Sequence, residues 1–243
     1  MHVTPHPSIR RLGTPYGGWA FAATPALHDC VVISCGLGED ASFDVEFASE
    51  FSAQVLIVDP TPRAMAHFDG LQKRIGQGRG RPYEAGGRQP PEAYDLSRIA
   101  PEQLVLIDKA VSDSPGRVRF FAPKIPEHVS YSIVNFQNDY SSSTPFIEVE
   151  AVTIRTLVDG IDRTRLQLVK FNIEGSEIPV IKQMIAEGIA PPQLCVEFDE
   201  LQSPTPKAIA DFKDCHAALE RANYRVAHVE GVANFLYLQA SLW

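Results

Sequence analysis

The chain has 243 residues, 44% of them hydrophobic and 21% charged, with 22 Lys and Arg against 30 Asp and Glu for a net charge of −8. That is enough apolar chain for a well-buried core, and it excludes a disordered or collagen-like protein. The acidic balance argues against nucleic acid as a partner, and no apolar run is long enough to span a bilayer or to form a secretory signal. The expected setting is cytoplasmic, with a small or neutral partner, no membrane and no nucleic acid.

Residues 1–28 hold Pro5, Pro7, Pro15, Pro25 and the Gly17–Gly18 pair, which predicts an irregular lead-in packed on one domain over 29–243. Val31 to Cys35 is a β-branched apolar run, read as a buried strand, and Gly36-Leu37-Gly38 turns the chain into a helix. On that helix Phe43, Phe47 and Phe51 recur every four residues on one face. Gln54 to Val58 is a second strand, parallel to the first because a helix separates them, and it closes on Asp59-Pro60. Residues 71–98 mix six arginines and lysines with five glycines and are read as a surface loop or lid, basic but chiefly a solvated insertion.

Leu104 to Ile107 is the third strand, followed by Asp108-Lys109-Ala110. Val118–Phe121, Ser132–Phe136 and Glu148–Ile154 read as shorter strands, with Thr156 opening a brief helix. Leu166 to Phe171 then repeats the opening design of strand, polar corner and helix, with Ser176 as the expected N-cap. Gln193 to Glu200 is a fifth strand, Thr205-Pro206 starts a helix, and Tyr224–Val229 with Asn234–Leu238 forms a terminal hairpin. The four cysteines have neither metal-site nor disulfide spacing; those in or beside predicted strands are read as small core residues.

Two cofactors compete for the glycine turn. Gly36-Leu37-Gly38-Glu39-Asp40-Ala41 satisfies the dinucleotide fingerprint, and Asp59 stands where such a fold places its ribose-binding acid, so an NAD-dependent dehydrogenase is one alternative. Glu39 and Asp40 beside the turn would repel a pyrophosphate, whereas S-adenosylmethionine carries a sulfonium and an ammonium and no phosphate. Asp59 can accept hydrogen bonds from the ribose hydroxyls of either.

The stretches Gly36 to Asp44, Val58 to Pro62, Val129 to Ser132, Val169 to Glu177 and Val196 to Phe198 resemble, in order, the motifs of FkbM-type methyltransferases. The resemblance implies a class I S-adenosylmethionine-dependent methyltransferase: an α/β, Rossmann-like, mostly parallel sheet flanked by helices and ending in an antiparallel hairpin. It implies O-methylation of a hydroxyl on a small metabolite or glycan. The cofactor then lies at the C-terminal edge of the first three parallel strands, with Ser34, Gly36, Leu37, Gly38, Asp59, Pro60, Asp108, Ala110 and Asn172 as its expected contacts. Asn172 stands where the family has Asp and Asp199 where close relatives have His, so a weakened cofactor- or partner-binding protein on the same fold is the second alternative. Transfer to an alcohol needs a base near the methyl group. Glu174, Asp199 and His228 are the candidates, with Glu197 beside them; the same carboxylates could hold Mg²⁺, which is not the favoured reading.

Overall fold

The lead-in is not irregular. In the computed structural model, which describes residues 2–125, 128–202 and 204–243, β1 (Ile9–Leu12) pairs antiparallel with β2 (Trp19–Ala22). Pro15, Gly17 and Gly18 fall in the turn between the two strands, where a fixed φ and a missing Cβ help rather than hurt.

The domain alternates strand and helix as the sequence predicts. In chain order follow β3 (Val31–Cys35), α1 (Ser42–Phe51), β4 (Gln54–Val58), α2 (Pro62–Gln72) and β5 (Leu104–Ile107). A second group holds β6 (Ala110–Val111), β7 (Gly116–Phe121), β8 (Phe146–Val152), α3 (Ile154–Asp159), β9 (Leu166–Phe171) and α4 (Glu177–Ala186). The chain finishes with β10 (Gln193–Glu197), α5 (Pro206–Arg221), β11 (Tyr224–Glu230) and β12 (Asn234–Gln239). The main sheet runs β11-β12-β10-β9-β3-β4-β5, with β12 antiparallel to both neighbours and the other pairs parallel. A small sheet, β6-β8-β7, stands apart from it.

Central strands of such a sheet are covered on both faces, and every residue of β3 is buried. Val32 faces one apolar cluster, with Phe21, Phe43, Phe47 and Phe51; Ile33 faces the other, with Ile178, Ile181 and Met184. The period-four phenylalanines of α1 pack on β2, Phe21 lying 5.2 Å from Phe47 between ring centroids. The lead-in is thus part of the core.

Several boundaries move for local reasons. Ser132–Phe136 is not a strand: Ser132 makes one bridge to Phe121, and Asn135–Asn138 turn as a 3-10 helix. Thr153, not Thr156, caps α3 by accepting from the Thr156 amide. β10 stops at Glu197 because Asp199–Leu201 close a 3-10 turn. Ser176 occupies the N-cap of α4, yet its side chain makes no capping bond; the Glu177 carboxylate accepts from the amides of Ile173 (2.8 Å) and Gly175 (2.9 Å) instead. All four cysteines are free and buried, and burial pushes each thiol up to about 12. Among the described residues no helix is long and apolar enough to cross a membrane.

The segment after α2 is exposed over residues 76–82, as its reading as a solvated insertion has it, but its later part is anchored to the domain. Tyr94 is fully buried, and its hydroxyl accepts from the Ala41 amide (2.9 Å) and meets His67 Nε2 (2.9 Å). Arg88 pairs with Glu39, and the Gln89 amide donates to the Glu39 carbonyl (2.8 Å). Tyr94→Phe would strand the Ala41 amide in a dry environment. It is expected to lower unfolding free energy by about 1–3 kcal/mol in a denaturant titration; unchanged stability would return this segment to the status of a loose loop.

Candidate active site

The strand ends of the main sheet converge on the glycine turn. Gly36 has φ +87° and its amide donates to the Val58 carbonyl (3.0 Å). A Cβ there would stand 2.0 Å from the Asn172 carbonyl oxygen, so only glycine lets β3 and β9 close so tightly at their tips.

Asp59 braces this turn. Its Oδ2 accepts from the amides of Leu37 (2.9 Å) and Gly38 (3.1 Å), and its Oδ1 from the Thr61 amide (2.8 Å) and hydroxyl (2.7 Å). Four bonds fill the four acceptor positions of the carboxylate. Lys170 Nζ donates to the Gly36 carbonyl (2.7 Å) from the opposite side.

Glu39 and Asp40 precede α1 rather than forming its first turn. Glu39 is paired with Arg63 and Arg88, so the repulsion that the sequence assigned to it is largely cancelled. Asp40 accepts from the Thr14 hydroxyl (2.6 Å) and the Ser42 amide (2.9 Å), tying the β1–β2 turn to the start of α1. Between these elements lies a cavity of about 600 Å³, bounded by the glycine turn, Tyr16 to Trp19, Asp59 to Thr61, the 128–137 segment and the ends of β9 and β10. That size is in the usual range for a small-molecule site.

At the end of β9 the chain turns sharply through Glu174, at φ +58°, and Gly175, at φ +90°. The 130–137 segment holds this corner. The Ser132 hydroxyl donates to the Glu174 carbonyl (2.6 Å), Gln137 Nε2 to its carboxylate (3.3 Å), and the Phe136 ring covers Gly175. Burial, and then the charges of Glu197 and Asp59, push the Glu174 carboxyl up to about 7. Asp199 is pushed up to about 8 by burial and by Glu174, Glu197 and Glu200, and burial raises Glu197 as well. Three half-buried carboxyls therefore share one wall of the cavity.

Of the expected residues, Gly36, Leu37, Gly38, Asp59, Pro60, Ala110, Asn172, Glu174 and Asp199 line the cavity. Three do not. Ser34 is buried in β3 beneath the turn, its side chain pointing to the α1 side of the sheet, where Asp44 lies. Asp108 is exposed, and Ala110, the first residue of β6, lines the cavity instead. His228 sits on β11, at the sheet edge and separated from β10 by β12, which keeps it out of the cavity. The residues missed are Lys170, Tyr16 and the Ser132–Gln137 clamp. Lys170 had a signal, a single cation inside the apolar run Leu166 to Phe171. Among the described residues no group of His, Cys, Asp or Glu is arranged to hold a metal ion.

Comparison with known proteins gives one family, described as the methyltransferase FkbM domain, which matches residues 3–226. No curated protein matches the sequence. Among solved structures, the chain is similar to a mutant 16S rRNA (adenine(1408)-N(1))-methyltransferase from Catenulisporales acidiphilia with cosubstrate SAM, at 13% identity and a TM-score of 0.36, covering 94% of this chain and 96% of that one. It is also similar to the antibiotic-resistance methyltransferase Kmr, at 14% identity and a TM-score of 0.35, covering 95% and 98%. The first of these is named for action on rRNA, and the expectation that nucleic acid is excluded as a partner, which was drawn from net charge alone, is withdrawn. A net charge describes the whole surface and does not decide what one face meets.

Proposed function

We propose, because this chain belongs to the methyltransferase FkbM domain family, that it moves the methyl group of S-adenosylmethionine onto a hydroxyl of a small metabolite or glycan, with Glu174 as the base. The cavity fits that cofactor. Gly36, Leu37, Gly38 and Asp59 line it, and the carboxyl wall suits a cationic ligand. The family also sets aside the dehydrogenase alternative. When bound, S-adenosylmethionine supplies an electrophilic methyl group on a positively charged sulfur.

The chain's own work is then positioning and proton transfer. The single observation that carries the reading is the placement of Glu174: its carboxyl faces the cavity, Gln137 donates to it (3.3 Å), Ser132 holds its backbone carbonyl (2.6 Å), and burial pushes it up to about 7. A base with that value accepts a proton from an approaching hydroxyl at neutral pH. Asn172 lines the cavity but cannot take up a proton, so it serves as a hydrogen-bonding group.

Purified protein should gain thermal stability with S-adenosylhomocysteine and none with NAD or NADP, since a ligand of the native state raises apparent stability. Stabilisation by NAD alone would overturn the reading. Transfer should then be followed across a panel of sugars and polyols, with an RNA oligonucleotide included; methylation of the RNA alone would replace the proposed acceptor class.

Asp59→Ala removes both amide contacts at the tip of the turn. It should lower unfolding free energy by about 1.5–3 kcal/mol and weaken S-adenosylhomocysteine binding in calorimetry; unchanged affinity would mean that the turn holds its shape without this brace.

A further inference from the structure

Lys170 is the cation that the reading above leaves unused. Only 4% of its surface is exposed, yet it lines the cavity, leaning from β9 beneath the Trp19 ring at 5.8 Å from the centroid. Its ammonium has three N–H donors. Among the described residues one of them goes to the Gly36 carbonyl, and no carboxylate comes within 4.0 Å of the nitrogen. A buried ammonium with spare donors and no counter-ion in contact is costly unless something else supplies the acceptor. Asp44, the buried carboxyl on α1, feels its charge but does not touch it. Glu197 lies on the same side of the cavity, close enough to be influenced by Lys170, with Gln202 on its Oε1.

We infer that Lys170 receives the α-carboxylate of the cofactor's amino-acid end, while Glu197 faces the adjoining ammonium. This rests on the S-adenosylmethionine reading and adds to it the contact that holds the amino-acid end, on the Trp19 side of the cavity. The alternative role for Lys170 is that of a scaffold, clamping the Gly36 carbonyl and offsetting Asp44. The two roles separate cleanly, because a scaffold affects every ligand of the turn and a carboxylate receptor affects only ligands that carry one.

The test is calorimetry with four probes: S-adenosylmethionine, S-adenosylhomocysteine, decarboxylated S-adenosylmethionine, and 5′-methylthioadenosine, which lacks the whole amino-acid end. The parent protein should bind S-adenosylmethionine roughly 10- to 100-fold more tightly than its decarboxylated form, the range for one charge-assisted contact. Lys170→Met, similar in length and uncharged, should lose about that factor for S-adenosylhomocysteine while binding 5′-methylthioadenosine within about twofold of the parent. Equal losses for the two ligands would make Lys170 a scaffold and overturn the inference. So would a parent protein indifferent to the missing carboxylate, a comparison that needs no variant and decides the matter even if Lys170→Met does not fold. A parent that binds none of the four overturns the cofactor reading as well, whereas one that binds all four without preference overturns only the role of Lys170.

Discussion

Glu174→Gln is expected to lower methyl transfer by roughly 10²- to 10⁴-fold, the contribution of a positioned base, while S-adenosylhomocysteine affinity changes little. The amide keeps the shape and the Gln137 contact but cannot take a proton. The parent's rate should rise with pH through about 7, as the carboxyl ionises, and the variant should lose that rise. Because Glu174 and Asp199 face each other, the profile belongs to the pair rather than to either alone. If Glu174→Gln retains full turnover, Asp199 becomes the remaining candidate base in the cavity.

The same groups set the pH dependence of folding with the opposite sign. A carboxyl that ionises near 4.5 unfolded and near 7 folded prefers the protonated fold. Its stabilisation is complete below about 4.5 and is withdrawn as pH rises toward 7. Asp199 extends that window to about 8. Stability measured by denaturant should therefore fall between pH 5 and 8, and Glu174→Gln should flatten the fall.

Gly36→Ala should be severely damaging, since its added Cβ meets backbone. An L-residue at φ +87° already costs about 1–2 kcal/mol, and here the methyl would also stand 2.0 Å from the Asn172 carbonyl oxygen, forcing β3 and β9 apart. A loss of more than about 3 kcal/mol in stability is expected, together with loss of measurable S-adenosylhomocysteine binding. Gly76→Ala is the control. Its φ is +82° but nothing lies within 4 Å of a Cβ there, so it should show only the backbone cost. Similar stability changes for the two variants would remove the steric argument.

The sheet was legible because its parallel strands are apolar runs of four to six residues punctuated by glycine, proline or acid, as at Val31–Cys35 and Gln54–Val58. Periodicity also placed α1, since three phenylalanines four apart have one face to bury. What escaped the sequence depended on contacts across long chain separations. Tyr94 stands between Glu92 and Asp95 at the end of the Arg- and Gly-rich segment and looks solvated; it is buried, with the Ala41 amide and His67 on its hydroxyl. The acid at Asp59 was located, but its commitment to the Leu37 and Gly38 amides rests on strand register that no local pattern encodes. His228 was placed near the site on the strength of its strand alone, and the strand order moved it to the sheet edge.

The hairpin β1–β2 has a consequence for how the protein comes to be made. Its Ala22 exchanges two hydrogen bonds with the side chain of Gln193, 171 positions later, and Thr4 donates to the Val226 carbonyl (2.8 Å). Trp19, near the front of the chain, and Asn234, near its end, line the same cavity. During synthesis α1 can cover Phe21 early, but Ala22 has no partner for its backbone until Gln193 has been made. Such long-range closure is slow. The pocket is therefore a late product of folding, complete only once Trp19 and Asn234 have been brought together.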